Sequence, residues 1–303
     1  MSAANERLAL LAALATGIQT GAAMVATRYV SGDLAPGSLG FLRYGVAMIC
    51  IAPFVLSGGI PRFARRDLIP LMLLGVAQFG LLIVLLNFGL ERMAAGRAAL
   101  LFSTFPLMTM ALGAAIGQER LTPGKTIGVL LSFLGVAVTL GEGLLAEAAK
   151  GTGAGEALGA AAVLASAFCG ALCTVLSKPY LGRYPTLSFA LLAIASSVVA
   201  LAGMAAWEGL FTSPIRIDGY GWGAVLFAGC SSAFGYLLWL WALKHISATR
   251  VTVFLSLSPA TAALLGLLLL GERLTLGTIL GILLVAIGLW IATRSKSDPK
   301  AAA

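Results

Sequence analysis

Six side chains that bond or stack stand out within long apolar runs: Gln19, Gln78 with Phe79, Tyr236 with Trp239, and Arg43. Ser103 and Ser256 add hydroxyls within two further runs. A polar group at membrane depth needs a partner, and rings three residues apart on a helix share a face. Such residues suit a pocket that stacks an apolar or aromatic solute and bonds its polar edge. Covalent chemistry is a poorer match. The single histidine, His245, lies near the end of an apolar run. Gly229-Cys230-Ser231-Ser232-Ala233 lacks the last glycine of a nucleophile elbow, so no nucleophile and base pair up, and an enzyme is not expected. The four cysteines fall in apolar runs without further ligands, so neither a metal nor another cofactor is expected. Gly151-Thr152-Gly153-Ala154-Gly155 resembles a phosphate loop only superficially, with no Lys-Ser/Thr after it, and reads as a flexible linker.

The elements that must position these groups follow from composition. The chain is 59% hydrophobic and 11% charged, with a mean hydropathy of +0.98. A soluble domain of 303 residues could not cover that much apolar surface. Apolar segments of membrane-spanning length are expected at 8–29, 39–56, 68–90, 94–116, 123–140, 158–177, 185–207, 220–243, 247–270 and 276–293. The first is too long for a signal-peptide core and is read as a retained helix. The net charge of +8 reports topology rather than nucleic-acid binding. Lys and Arg concentrate on one side, most densely at Arg62, Arg65 and Arg66, which puts both termini in the cytoplasm. An anionic-lipid site at that triplet is the alternative reading.

The second half repeats the first at a constant offset of 153 residues. Leu90, Arg97, Pro106, Gly113, Glu119-Arg120 and Gly128 recur as Leu243, Arg250, Pro259, Gly266, Glu272-Arg273 and Gly281. Five spans per half is an odd number, so the halves enter the membrane from opposite sides. The expected fold is an all-α membrane protein of ten transmembrane helices, two inverted five-helix repeats around a central cavity. The first repeat is expected over 1–142, an outer linker over 143–157, the second repeat over 158–294 and a cytoplasmic tail over 295–303. Pro106 and Pro259 fall mid-span, where each removes a helix hydrogen bond. They are read as kinks that shape the cavity and hinge its gates, against the alternative of tolerated bends. Arg43 can snorkel outward, cap backbone carbonyls or meet a substrate carboxylate. The paired Glu-Arg motifs read as joints between helices. Gly124/Gly128 and Gly277/Gly281 read as small-residue spacings that place the fifth and tenth helices in tight contacts, with another subunit as one option.

The stretch from Leu90 to Ala99, then Pro106, Glu119-Arg120, Gly128 and Gly135, resembles the EamA-type drug/metabolite transporter superfamily, and the second half carries the same pattern. Within it the chain looks most like bacterial aromatic and neutral amino-acid exporters. That resemblance implies a bacterial inner-membrane protein, a cavity lined mainly by helices 1, 3, 4, 6, 8 and 9, and efflux as the direction. No acid lies at mid-membrane depth in the sequence, which points to exchange or facilitated diffusion rather than obligatory proton antiport. The expected partners are a small-molecule substrate and the lipid bilayer, with no nucleic acid; the oligomeric state is left open, a monomer included. Purines, cationic drugs, and a channel or lipid scramblase are the competing readings.

Overall fold

The computed structural model describes residues 3–57, 62–117, 123–149, 153–212, 214–246, 251, 254 and 257–294. Among these there is no strand. In a bilayer the backbone finds no water, and a helix satisfies its polar groups within one segment. The helices are α1 (Ala3–Val30), α2 (Pro36–Leu56), α3 (Arg65–Arg92), α4 (Ala95–Ala115) and α5 (Pro123–Ala149). They continue as α6 (Gly153–Leu181), α7 (Thr186–Trp207), α8 (Gly219–His245), α9 (Leu257–Leu270) and α10 (Leu276–Arg294). Among the described residues seven, α1–α4 and α6–α8, are long and apolar enough to cross a membrane. Side chains such as Phe54, Leu73, Val199, Leu268 and Trp290 stand exposed on the outside of the bundle, as lipid contact requires.

Helix ends are satisfied by distant acids as well as local ones. The Glu208 carboxylate, at the end of α7, accepts the backbone N–H groups of Gly37 at 2.9 Å and Ser38 at 2.6 Å, capping α2. Asp218 caps α8 by accepting Gly221 N–H at 2.7 Å. Gly209 and Gly271 follow α7 and α9 with φ of 85° and 65°, the left-handed conformation in which a glycine stops a helix. On the opposite end of the bundle the Tyr184 hydroxyl donates to Asp67 at 2.6 Å, tying the start of α3 to the turn between α6 and α7. That bond holds the Tyr184 phenol protonated to higher pH than an ordinary tyrosine.

Two helices are irregular, and both irregularities face the middle of the molecule. In α3 one wide turn, Val76–Leu81, is a π-helix. Neighbouring helices take up carbonyls there: the Cys169 thiol donates to Ala77 O at 3.3 Å and the Ser196 hydroxyl to Met72 O at 3.2 Å. In α4 the helix breaks at Ser103-Thr104, between Ala95–Phe102 and Phe105–Ala115. Pro106 sits in the first turn of the second piece, where its missing N–H costs nothing. The bend anticipated at the proline therefore lies two to three residues before it.

The helices exchange contacts in a regular way. The packing of α1 on α8 has a counterpart in α6 on α3, that of α1 on α9 in α6 on α4, and that of α2 on α8 in α7 on α3. Small residues set the closest approach. A methyl on Gly281 of α10 would lie 2.9 Å from Gly135 O of α5, and one on Gly288 would lie 2.5 Å from Gly128 O. Thr139 Oγ1 donates across that seam to Gly277 O at 3.0 Å. The tight contacts expected of the glycines in α5 and α10 are thus between these two helices. The 143–157 segment, expected as a flexible outer linker, is mostly helical: α5 runs to Ala149 and α6 starts at Gly153. Its Leu, Ala and Glu residues are strong helix formers that outweigh its glycines. The other Glu-Arg motif, Glu119-Arg120, and the 295–303 tail lie outside the described residues.

Candidate functional site

A cavity of about 120 Å³ lies between α1, α2, α3, α4 and α8. From α1 it takes Thr16, Gln19, Thr20 and Met24; from α2, Arg43 and Tyr44. From α3 it takes Gln78 and Phe79, consecutive residues of the π turn, with Leu82, Ile83 and Leu86 beyond them. The rings of Phe102 and Phe105 flank the break in α4, and α8 supplies Ser232, Gly235, Tyr236 and Trp239.

The rings form two contact groups. Phe79 sits at the centre of one, with its centroid 4.9 Å from Tyr44 and 4.5 Å from Tyr236, the second contact edge-to-face at 89°. Phe105 meets Trp239 edge-on at 5.9 Å and Phe102 at 5.6 Å. The polar groups lie among them, with Gln78 beside Phe79 and Arg43 beside Tyr44. Gln19 Nε2 donates to Ser231 Oγ at 3.0 Å, and its amide rests where a Cβ on Gly235 would stand. The α1 hydroxyls are held by their own helix: Thr16 donates to Ala12 O and Thr20 to Thr16 O. Arg43 is 8% exposed. Its Nε donates to Ser232 Oγ at 2.7 Å, its Nη1 lies 3.4 Å from Thr27 Oγ1, and its Cζ lies 5.6 Å from the Tyr44 centroid.

The structure brings Gln19, Gln78, Phe79, Tyr236, Trp239 and Arg43 to this one cavity. It does not bring Ser103 there. That hydroxyl is buried at the α4 break and donates to Leu100 O at 2.5 Å, a carbonyl that also accepts the Ser103 N–H at 3.1 Å. Pro106 is buried behind Phe105, and Pro259 lies in the first turn of α9. Ser256 lies outside the described residues. Tyr44 and Phe105 were not anticipated. Each neighbours a singled-out residue, Arg43 and Pro106, and that adjacency was the available signal.

A second chamber, about 410 Å³, lies at the end of the bundle where α1 finishes and α4 begins. It is crowded with charge. Glu272 accepts the Ala95 N–H at 3.1 Å, capping α4, and lies 3.6 Å from Arg28 Nε. Arg28 also donates to the last carbonyls of α3, at Leu90 and Glu91. Arg97 pairs with Glu156, and Thr275 donates to Glu142 at 2.7 Å. All of these acids except Glu91 join a residue before position 143 to one after it. Glu272, read from sequence as part of a joint between helices, lies between α9 and α10 and from there also clamps α4 and α1.

The same fold is found in a protein of known crystal structure, with a TM-score of 0.69 at 20% identity over 94% of this chain and 96% of that one. Among curated relatives, an uncharacterized transporter of Archaeoglobus fulgidus is 30% identical over 91% of this chain and 95% of its own. A probable terminal-alkyne amino-acid exporter of Streptantibioticus cattleyicolor is 29% identical, over 77% of this chain and 76% of its own. A probable amino-acid metabolite efflux pump of Salmonella typhimurium is also 29% identical, over 76% of this chain and 79% of its own. The EamA-like transporter family model matches residues 7–141 and again 157–294. A multi-pass helical bundle with a ring-lined cavity between its halves, matched by that model over nearly all its length, belongs to the EamA-like transporter family.

Proposed function

We propose that the protein is a secondary exporter of small metabolites, with neutral and aromatic amino acids its main substrates. It sits in the bacterial inner membrane with both termini in the cytoplasm. Ten helices form two inverted five-helix repeats, bounded as the sequence suggests at 1–142 and 158–294. The paired exchange of helix contacts between the halves supports the repeat, and the names of the Streptantibioticus and Salmonella relatives support the substrate class.

The observation that carries the reading is the cavity itself. Phe79, Tyr44, Tyr236 and Trp239 give an aromatic wall, while Gln19, Gln78 and Arg43 give neutral and cationic bonding groups. At about 120 Å³ the cavity is smaller than the roughly 300 Å³ at which small-molecule sites begin, so the rings part when a bulky solute enters. On this topology the charged chamber is the outer face. Its cross-half bonds hold that side shut, and alternating access breaks and remakes them while Pro106 and Pro259 flank the bending points of α4 and α9. No described acid lines the cavity, so transport runs by exchange or down a gradient without obligatory proton coupling.

The test is counterflow of labelled tryptophan and phenylalanine into liposomes holding the purified protein, with and without a pH gradient. Uptake in both conditions is expected. A folded protein giving no uptake above empty liposomes overturns the amino-acid assignment, and uptake only with the gradient overturns the uncoupled mechanism. Purines are the second reading, favoured by two amides beside a stacking wall, and adenine and guanine belong in the same assay.

A further inference from the structure

Arg43 is a buried cation whose described partners are neutral. Its guanidinium reaches the Ser232 and Thr27 hydroxyls and lies near the Tyr44 ring. Among the described residues no carboxylate lies within ion-pair distance of it. The stretch 247–256, part of which lies outside the described residues, contains no Asp or Glu. A buried guanidinium without a counter-ion is costly, and two hydroxyls engage only part of its five-donor fork. Gly229 lets α8 approach α2 so closely that a Cβ there would lie 2.8 Å from Arg43 O. That contact fixes the backbone from which the guanidinium reaches the cavity wall.

The cavity therefore has a fixed cationic group for an anion and, among its described lining, no carboxylate to pair with an ammonium. We infer that the substrate is recognised through its carboxylate, received by Arg43, and that its amino group is not required. This inference rests on the exporter reading above and narrows it. Aromatic carboxylic acids that lack the amine enter the same site, and aromatic amines that lack the carboxylate do not. Phe79 and Tyr236 receive the ring while Arg43 fixes the acid end.

The experiment measures binding to the purified full chain in detergent, by ligand-induced change in thermal midpoint and by isothermal titration, with ionic strength held by sodium chloride. The probes are phenylalanine, hydrocinnamate (the same skeleton without the amine) and phenethylamine (the same skeleton without the acid). Phenylalanine and hydrocinnamate are expected to bind over the chloride background, and phenethylamine is not. Arg43→Gln should weaken hydrocinnamate about 10- to 100-fold, as expected for a charge-assisted bond lost from a buried site, and Arg43→Lys should restore part of it. Phenethylamine binding as tightly as hydrocinnamate, unchanged hydrocinnamate binding in Arg43→Gln, or no binding of either acid would overturn the inference. Should Arg43→Gln fail to fold, the three probes on the natural protein and on Arg43→Lys decide it. Hydrocinnamate binding through Arg43 without phenylalanine counterflow would instead sink the amino-acid reading and leave the anion site standing.

Discussion

Arg97 of α4 is ion-paired with Glu156 in the first turn of α6, joining the two halves of the chain at the charged chamber. The Glu156 side chain is 4% exposed and Arg97 25%. Glu156→Gln keeps the shape and removes the charge. Loss of a fully buried partner costs about 3–5 kcal/mol, and the solvent reaching Arg97 reduces this to about 1–3 kcal/mol. The thermal midpoint should fall. In a cysteine-free background, Met24→Cys should react faster with an impermeant thiol reagent added from outside once Glu156 is replaced. Equal labelling with and without the replacement would show that this pair does not hold the outer side shut.

Gly235 is the gap into which the Gln19 amide fits. A methyl there would crowd Gln19 Cδ at 2.8 Å and its oxygen more closely still. The side chain is long enough to move, so Gly235→Ala should fold with a stability change within about 1 kcal/mol. The displaced amide loses Ser231 and projects into the cavity. Counterflow of phenylalanine should show a raised half-saturation concentration, with Gly223→Ala, on the open face of the same helix, as the unaffected control.

Gln78 of α3 and Trp239 of α8 both line the cavity. Gln78→Ala removes an amide from a half-exposed position and should leave the thermal midpoint nearly unchanged while reducing transport several-fold. Trp239→Ala also empties a largely buried site, so it should reduce both, with a stability cost on the order of 3 kcal/mol. Normal counterflow in both variants would remove these residues from the transport path.

The α5–α10 seam leaves no room for side chains at its glycines. Gly281→Ala would press on Gly135 O and Thr139, which belong to the opposing helix. It should lower the thermal midpoint by several degrees, whereas Gly32→Ala, which meets nothing within 4 Å, should not. Circular dichroism melts of the two proteins in the same detergent make the comparison.

The residues that sequence alone pointed to were those whose polarity contrasts with their surroundings. Gln19, Gln78 and Arg43 are conspicuous in apolar runs, and the cavity collects all three. Tyr44 and Phe105 offer no such contrast, since a lone ring in an apolar helix usually faces lipid or core. Ser103 failed as a cavity residue for a local reason: a carbonyl three residues back satisfies its hydroxyl before any solute does. Neither the π turn nor the Arg97–Glu156 pair could be read from local pattern. The first depends on Ser196 and Cys169 from other helices, and the second on a helix continuing through a stretch whose glycines suggest a loop.

The π turn at Val76–Leu81 has no equivalent in α8, which is α-helical throughout Gly219–His245. The repeat is therefore unequal at its centre, although the residue numbering keeps a constant offset. A carrier made of two identical halves would rest with its inward and outward forms equally populated. On the alternating-access reading proposed above, the extra residue in this one turn would give the two forms different free energies, and the empty carrier a preferred resting side. Half-saturation concentrations measured from the two faces will then differ. For a carrier driven by its solute gradient alone, the ratio of maximal rate to half-saturation must still be the same in both directions. On that reading the asymmetry would set the concentration at which each face responds, and the gradient would decide which way the solute moves.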